Sequence, residues 1–134
     1  MAQNEAVLFA NEAFYQAFAE RDMEAMENCW ADGPEVSCIH PGWGPLRGRE
    51  VVLQSWLAIL ANPEAPKIVC RAATATVLGD TAIVICFEEI GGQFLLASNI
   101  YIHQAGRWRL VHHQAGPTAE QPQEDQDKPP PRMN

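Results

Sequence analysis

The chain has few cations, no long apolar run and no paired-cysteine spacing, and each shortage removes a class of function. Lys and Arg number 9 against 17 Asp and Glu in 134 residues, a formal net charge of −8. Such a surface repels phosphate backbones and anionic lipid, and no basic stripe offsets it, so neither nucleic acid nor a membrane is an expected partner. No segment approaches the roughly 20 apolar residues that span a bilayer. The opening Met1-Ala2-Gln3-Asn4-Glu5 lacks the basic-then-apolar pattern of a secretory leader, so a cytoplasmic location is expected. Cys29, Cys38, Cys70 and Cys86 are widely spaced, each in or beside an apolar segment. That pattern suits small buried hydrophobes better than a disulfide framework or a zinc site. The G-x-S-x-G, P-loop and dinucleotide fingerprints are missing too, which sets aside most hydrolases, NTPases and dehydrogenases. No cofactor and no metal are expected.

The residues that are present describe one globular domain, 47% hydrophobic and 19% charged. Apolar residues at three- and four-residue steps (Ala6, Leu8/Phe9, Ala13, Phe14, Ala17, Phe18) predict a helix from Asn4 to Glu20. Asp22 has the character of an N-cap for a short helix, Met23 to Trp30, which Gly33-Pro34 ends. A short strand follows from Glu35 to His40, then a third helix from Arg49 to Leu60 packing through Val51/Val52, Trp56, Ile59 and Leu60. The segments Lys67–Leu78, Thr81–Ile90, Gln93–His103 and Arg107–Ala115 are separated by Gly-containing turns, the signature of an antiparallel meander. Helices grouped ahead of a meander predict an α+β fold, with about three N-terminal helices packed on the sheet. Runs such as Ala82–Phe87 are apolar at consecutive positions, so both sheet faces need cover; a homodimer through the outer face is the simplest arrangement. The domain is expected over residues 3–117. Residues 118–134, rich in Pro and acids, are expected to form a disordered tail.

The chemistry concentrates around Cys38-Ile39-His40-Pro41-Gly42-Trp43. Pro41 cannot continue a ladder and biases His40 to an extended conformation, so an imidazole sits at a strand end facing a loop. Near neutral pH such a ring exchanges protons, although it also serves as a plain hydrogen-bonding turn residue. Strand parity places Asn99, Tyr101 and His103 on one face, as either a solvated surface or a polar pocket floor. His112 and His113 point to opposite faces, and only His113 shares a side with His40. Trp43, Trp56 and Tyr101 offer aromatic lining for a small ligand. Arg47 offers a partner for a ligand carboxylate or for a surface acid such as Glu50.

The motifs Asn11-x-x-Phe14-Tyr15-x-Ala17-Phe18, Arg21-Asp22, Trp30-Ala31, His40-Pro41-Gly42-Trp43, Leu46-x-Gly48-Arg49, Ser55-Trp56 and Gly106-Arg107-Trp108-Arg109-Leu110-Val111-His112-His113 occur in this order. Together they resemble the SnoaL-like branch of the NTF2-like (nuclear transport factor 2-like) superfamily. The resemblance implies a cone, in which helices wrap a curved antiparallel sheet around a pocket, and commonly a homodimer. Members include ketosteroid isomerases, cyclases, dehydratases and association domains, so the fold does not name the reaction. Carried over from the ketosteroid isomerases, the catalytic base falls on His40 and the oxyanion-hole acid on Asn99. The helix-one tyrosine falls on Phe14, with Tyr15 one residue on and rotated by about 100°. The resemblance thus implies His40 and Asn99 as catalytic candidates. Tyr15, Trp43, Arg47, Trp56, Tyr101 and His113 are ligand-binding candidates. Two functions stay open: an apolar pocket binding a small acidic or aromatic ligand or serving a dimeric association module, and an isomerase, cyclase or dehydratase using His40 as general base.

Overall fold

The computed structural model describes residues 2–123. Helix α1 (Gln3–Ala19) buries Val7, Asn11, Phe14, Tyr15, Ala17 and Phe18, a stripe stepped by three and four residues. The expected stripe through Ala6 and Phe9 is rotated slightly. Phe9 is 67% exposed, whereas polar Asn11 is fully buried because side chains from the sheet satisfy it. Helix α2 (Met23–Cys29) starts where expected: the Asp22 carboxylate accepts from the Ala25 N–H at 3.0 Å. Helix α3 (Arg49–Ala61) buries Val52, Trp56 and Leu60.

Two arginines from the motif positions tie the helices together. Arg21 donates to the carbonyls of Leu60 and Ala65, both at 3.2 Å, within and beyond the last turn of α3 respectively. Arg49 donates to Trp30 and Ala31 at 2.9 and 3.2 Å, just past α2. Helix C-termini leave carbonyls without intrahelical partners, and these guanidinium groups supply donors there.

Strands β1 (Ser37–Ile39), β2 (Leu46–Arg47), β3 (Val69–Leu78), β4 (Thr81–Ile90), β5 (Gln93–Gln104) and β6 (Arg107–Pro117) form one sheet in the order β2-β1-β6-β5-β4-β3. The meander β3 to β6 is antiparallel, as the Gly-marked turns predict; Gly91 and Gly92 both take positive φ, the geometry of a tight hairpin turn. Two features depart from expectation. β1 lies parallel to β6, and the loop after Trp43 contributes the short antiparallel strand β2. The three helices on a curved six-stranded sheet make the α+β cone. Residues 118–123 follow β6 without helix or strand, and 124–134 of the expected tail lie outside the described residues.

Register sorts the two faces. Ala75, Val84, Asn99, His113, Cys38 and Leu46 stand side by side across the sheet on the helix-covered face. The neighbouring row, Thr76, Ile83, Ile100, His112, Ser37 and Arg47, lies on the opposite face. The register shifts between Ile100 and Tyr101, where Val111 is the extra residue on β6. This bulge lets Trp108 and Leu110 face inward on even positions while His113 and Ala115 face inward on odd ones.

Candidate functional site

The site forms where α1, α3, the loop after β1 and the open end of the sheet meet. β1 ends at Ile39 and Pro41 begins a turn closed by Trp43 N–H donating to the His40 carbonyl at 2.9 Å, so His40 is held at a strand end as expected. Its ring is buried between Trp43 and Trp56, with centroids 4.9 and 4.8 Å away. A cavity of about 210 Å³ opens beside it, lined by Phe14, Tyr15, Phe18, Trp43, Trp56, Glu88 and His113 among others. Trp43, half exposed, stands at the mouth.

Hydrogen bonds fix the protons. Ser55 Oγ donates to the Val52 carbonyl at 2.6 Å, so it accepts from His40 Nε2–H at 2.9 Å. The neutral ring then keeps a lone pair on Nδ1, whose nearest polar neighbour is Cys38 Sγ at 3.9 Å. Burial pushes His40 down to about 4, so it is neutral at physiological pH.

On the opposite wall His113 Nδ1–H donates to Asn99 Oδ1 at 2.5 Å, leaving Nε2 without a proton 3.8 Å from Glu88 Oε2. Burial, with His40 and His112 adding to it, pushes His113 down to about 3. Glu88 moves the other way: burial pushes its carboxyl up, against a 2.6 Å hydrogen bond donated by Tyr15. With the His113 ring neutral, its close approach to Glu88 is not an ion pair. Behind this wall Asn99 donates to Asn11 Oδ1 at 2.9 Å and to Tyr15 Oη at 3.3 Å, and Tyr101 donates to the same Asn11 oxygen at 2.9 Å. Every member of this buried network has a partner.

The structure gathers five of the eight sequence candidates at the cavity: His40, Tyr15, Trp43, Trp56 and His113. Tyr15 reaches it although the equivalent tyrosine of the isomerases falls on Phe14, because both residues lie on the buried side of α1. Asn99 and Tyr101 do not reach the cavity wall. They face the correct side of the sheet, but Asn11 and Tyr15 of α1 cover them, and the Asn99 amide is spent on this network. Arg47 is exposed on the outer side of the sheet, in register with Ser37 and His112. No Lys or Arg lines the cavity among the described residues, so a ligand carboxylate would meet no cation there. His103 lies elsewhere, edge-on to Trp108 at 5.1 Å between ring centroids, in a wider groove between α1, α2 and the β5–β6 turn.

Glu88 is the titratable cavity residue that sequence reasoning missed. The signal was parity: Ala82, Val84, Cys86 and Glu88 alternate on one side of β4, and the first three are small or apolar. Another feature emerges only from packing. Trp56 lines the cavity, and its buried indole N–H has no hydrogen-bond partner among the described residues. An orphaned donor of this kind costs about 1–3 kcal/mol unless something else accepts its proton.

Among known proteins, a structure from Streptomyces avermitilis, of the NTF2-like family and with a provisional dehydratase name, is 33% identical; it covers 87% of this chain and 96% of that one, with a TM-score of 0.78. A structure from Thiobacillus denitrificans, provisionally named as a calcium/calmodulin-dependent protein kinase type II association domain, is also 33% identical, covering 81% and 92% with a TM-score of 0.70. A curated relative, the F-box protein SKIP8 of Arabidopsis thaliana, is 28% identical over 115 residues, 84% of this chain and 49% of that protein; the chain spans about half that relative's length. Residues 7–120 match the SnoaL-like domain, and the chain belongs to that family.

Proposed function

We propose that the cavity binds a small uncharged cyclic carbonyl compound and moves a proton on it, as a dehydratase or isomerase does. The observation that carries this reading is a pairing of side chains that line one apolar cavity: Trp56, whose buried indole N–H has no acceptor among the described residues, and His40, whose Nδ1 carries no proton. The Trp56 donor suits a carbonyl oxygen that gains charge, and His40 Nδ1 suits the proton removed beside it. A neutral imidazole at about 4 has basicity close to the carboxylate base of steroid isomerisation, about 4.6. Glu88, which lines the same cavity, is the carboxyl placed to exchange a proton with a departing hydroxyl. The volume, about 210 Å³, equals that of roughly seven liquid waters, which suits a single ring and is too small for a steroid. The dehydratase name of the Streptomyces relative is in keeping with this chemistry.

The test uses single-ring ketones and β-hydroxyketones, with carboxylate-bearing analogues as controls. Binding is read by tryptophan fluorescence and α-proton exchange by NMR in deuterium oxide. The expected result is saturable binding of the neutral compounds, with exchange or dehydration that falls at least about 100-fold in His40→Gln. Binding without exchange would leave a ligand-binding module and refute the catalytic part. Preference for the carboxylates would refute the ligand class.

The outer sheet face supports a dimer as part of the same reading. Ile85 and Leu96 are 43% and 38% exposed there, beside the half-buried Ile83, Phe87 and Ile100. A contiguous apolar face of this kind is unusual on a monomer. Sedimentation should show a dimer for the native chain and a monomer for Ile100→Glu; a native monomer, or a variant dimer of unchanged affinity, contradicts the interface.

A further inference from the structure

The mechanism above makes no use of the four cysteines, and two of them are neighbours. Cys70 on β3 pairs in register with Glu88 on β4, and Cys86 is the next inward residue of β4. Their side chains are within hydrogen-bonding reach of one another. Amide donors surround both: Asn11 Nδ2 lies 3.7 Å from Cys70 Sγ, and Asn99 Nδ2 lies 4.0 Å from Cys86 Sγ, with the Tyr15 hydroxyl 3.3 Å from the latter. We propose that Cys70 and Cys86 form a peroxide-responsive pair, which oxidation joins by a disulfide across β3 and β4 and reduction reopens.

The two sulfurs have different access. Cys70 is half-buried and lines a groove of about 570 Å³ between α1 and β3, together with Phe9, Glu12 and Gln16. Cys86 is 1% exposed. Cys70 therefore meets the oxidant first: its sulfur attacks hydrogen peroxide, the O–O bond breaks, and a sulfenic acid and one water result. Cys86 sulfur then attacks Cys70 sulfur; the S–S bond forms, the S–O bond breaks, and hydroxide leaves as a second water with the Cys86 proton. The sum is two thiols and one peroxide to one disulfide and two waters. In the reduced pair the hydrogen bond with Cys70, helped by Tyr15 and Asn11, pulls the Cys86 thiol down despite burial. The β3–β4 ladder shifts register between Arg71 and Thr74, so the strand carrying Cys70 is interrupted where the bridge must draw it closer. The remaining cysteines are less reactive: burial pushes Cys29 up to about 11 and Cys38 up to about 12.

The test treats the full chain with equimolar hydrogen peroxide, counts thiols after denaturation and maps the peptides without reduction. The expected result is a fall from four thiols to two, one intrachain Cys70–Cys86 bridge, and recovery of four with dithiothreitol. Cys70→Ser, at a half-buried position that should tolerate the change, should keep its three thiols under the same treatment. Oxidation of Cys70 to sulfinic acid without a bridge, a bridge to Cys29 or Cys38, a bridge between chains, or four surviving thiols would each overturn the proposal.

Discussion

Acidification from pH 6.5 to pH 4.5 should destabilise the protein by several kcal/mol, well before most carboxylates titrate. His40 and His113 are held near 4 and 3 in the folded state, whereas an unfolded chain titrates them near 6.5. Below pH 6.5 the unfolded chain binds protons that the folded chain refuses, so stability falls with falling pH. Each histidine contributes a slope of up to about 1.4 kcal/mol per pH unit. The stability they confer is fully present above about pH 6.5 and lost progressively down to their folded values. Glu88 acts in the opposite sense. Its raised value costs stability at neutral pH and relieves that cost as the carboxyl takes a proton. The expected net slope is therefore about 1.4–2.8 kcal/mol per unit, a large part of a domain's usual total of about 5–15 kcal/mol. Urea melts at half-unit pH intervals measure it directly. A His113→Gln variant should show roughly half the slope, and a midpoint unchanged from pH 7 to pH 5 would contradict the placement of both rings.

The second large effect is expected at Asn99. Its side chain is fully buried, accepts from His113, and donates to Asn11 and Tyr15. Asn99→Leu keeps the branched heavy-atom skeleton but orphans the His113 Nδ1–H and removes a partner from two other groups. Leaving buried polar groups unsatisfied costs about 1–3 kcal/mol each, so a loss of about 3–5 kcal/mol is expected by chemical denaturation. The neighbouring outward residue provides the control: Ser98→Ala should change stability by less than about 0.5 kcal/mol. Equal losses at the two positions would show that Asn99 is ordinary packing. The variant also reports on function. In the proposed reading Asn99 acts through His113, holding its proton on Nδ1, so its loss should shift the pH profile of exchange rather than remove binding.

Much of the fold was legible because local signals agreed with one another. The Gly turns bound the meander, Asp22 caps α2, and Pro41 ends β1 just before His40. These are covalent and steric rules that act over a few residues. The site was legible only in part, because parity gives the face of a side chain and not its depth. Asn99 and Tyr101 point inward as expected, yet Asn11 meets them first, and a lone asparagine on a helix gives no sign that it is buried. Arg47 was illegible because a two-residue strand has no period; pairing with β1 turns it outward. Glu88 was hidden at the end of the run Ala82–Phe87, which reads as apolar on both faces until every second residue is taken alone. The inversion of parity at Val111 depends on a bulge, which no pattern in Arg107–His113 announces.

The central claim is that His40 sits in the cavity as a neutral base with its proton on Nε2. Nitrogen-15 NMR of histidine-labelled protein, titrated from pH 7.5 to the onset of unfolding, measures this directly. The account predicts a His40 ring that shows a protonated Nε2 and an unprotonated Nδ1 at pH 7 and stays neutral below pH 5.5. A His40 ring that takes a second proton at or above pH 6.5, or that carries its proton on Nδ1, would contradict it.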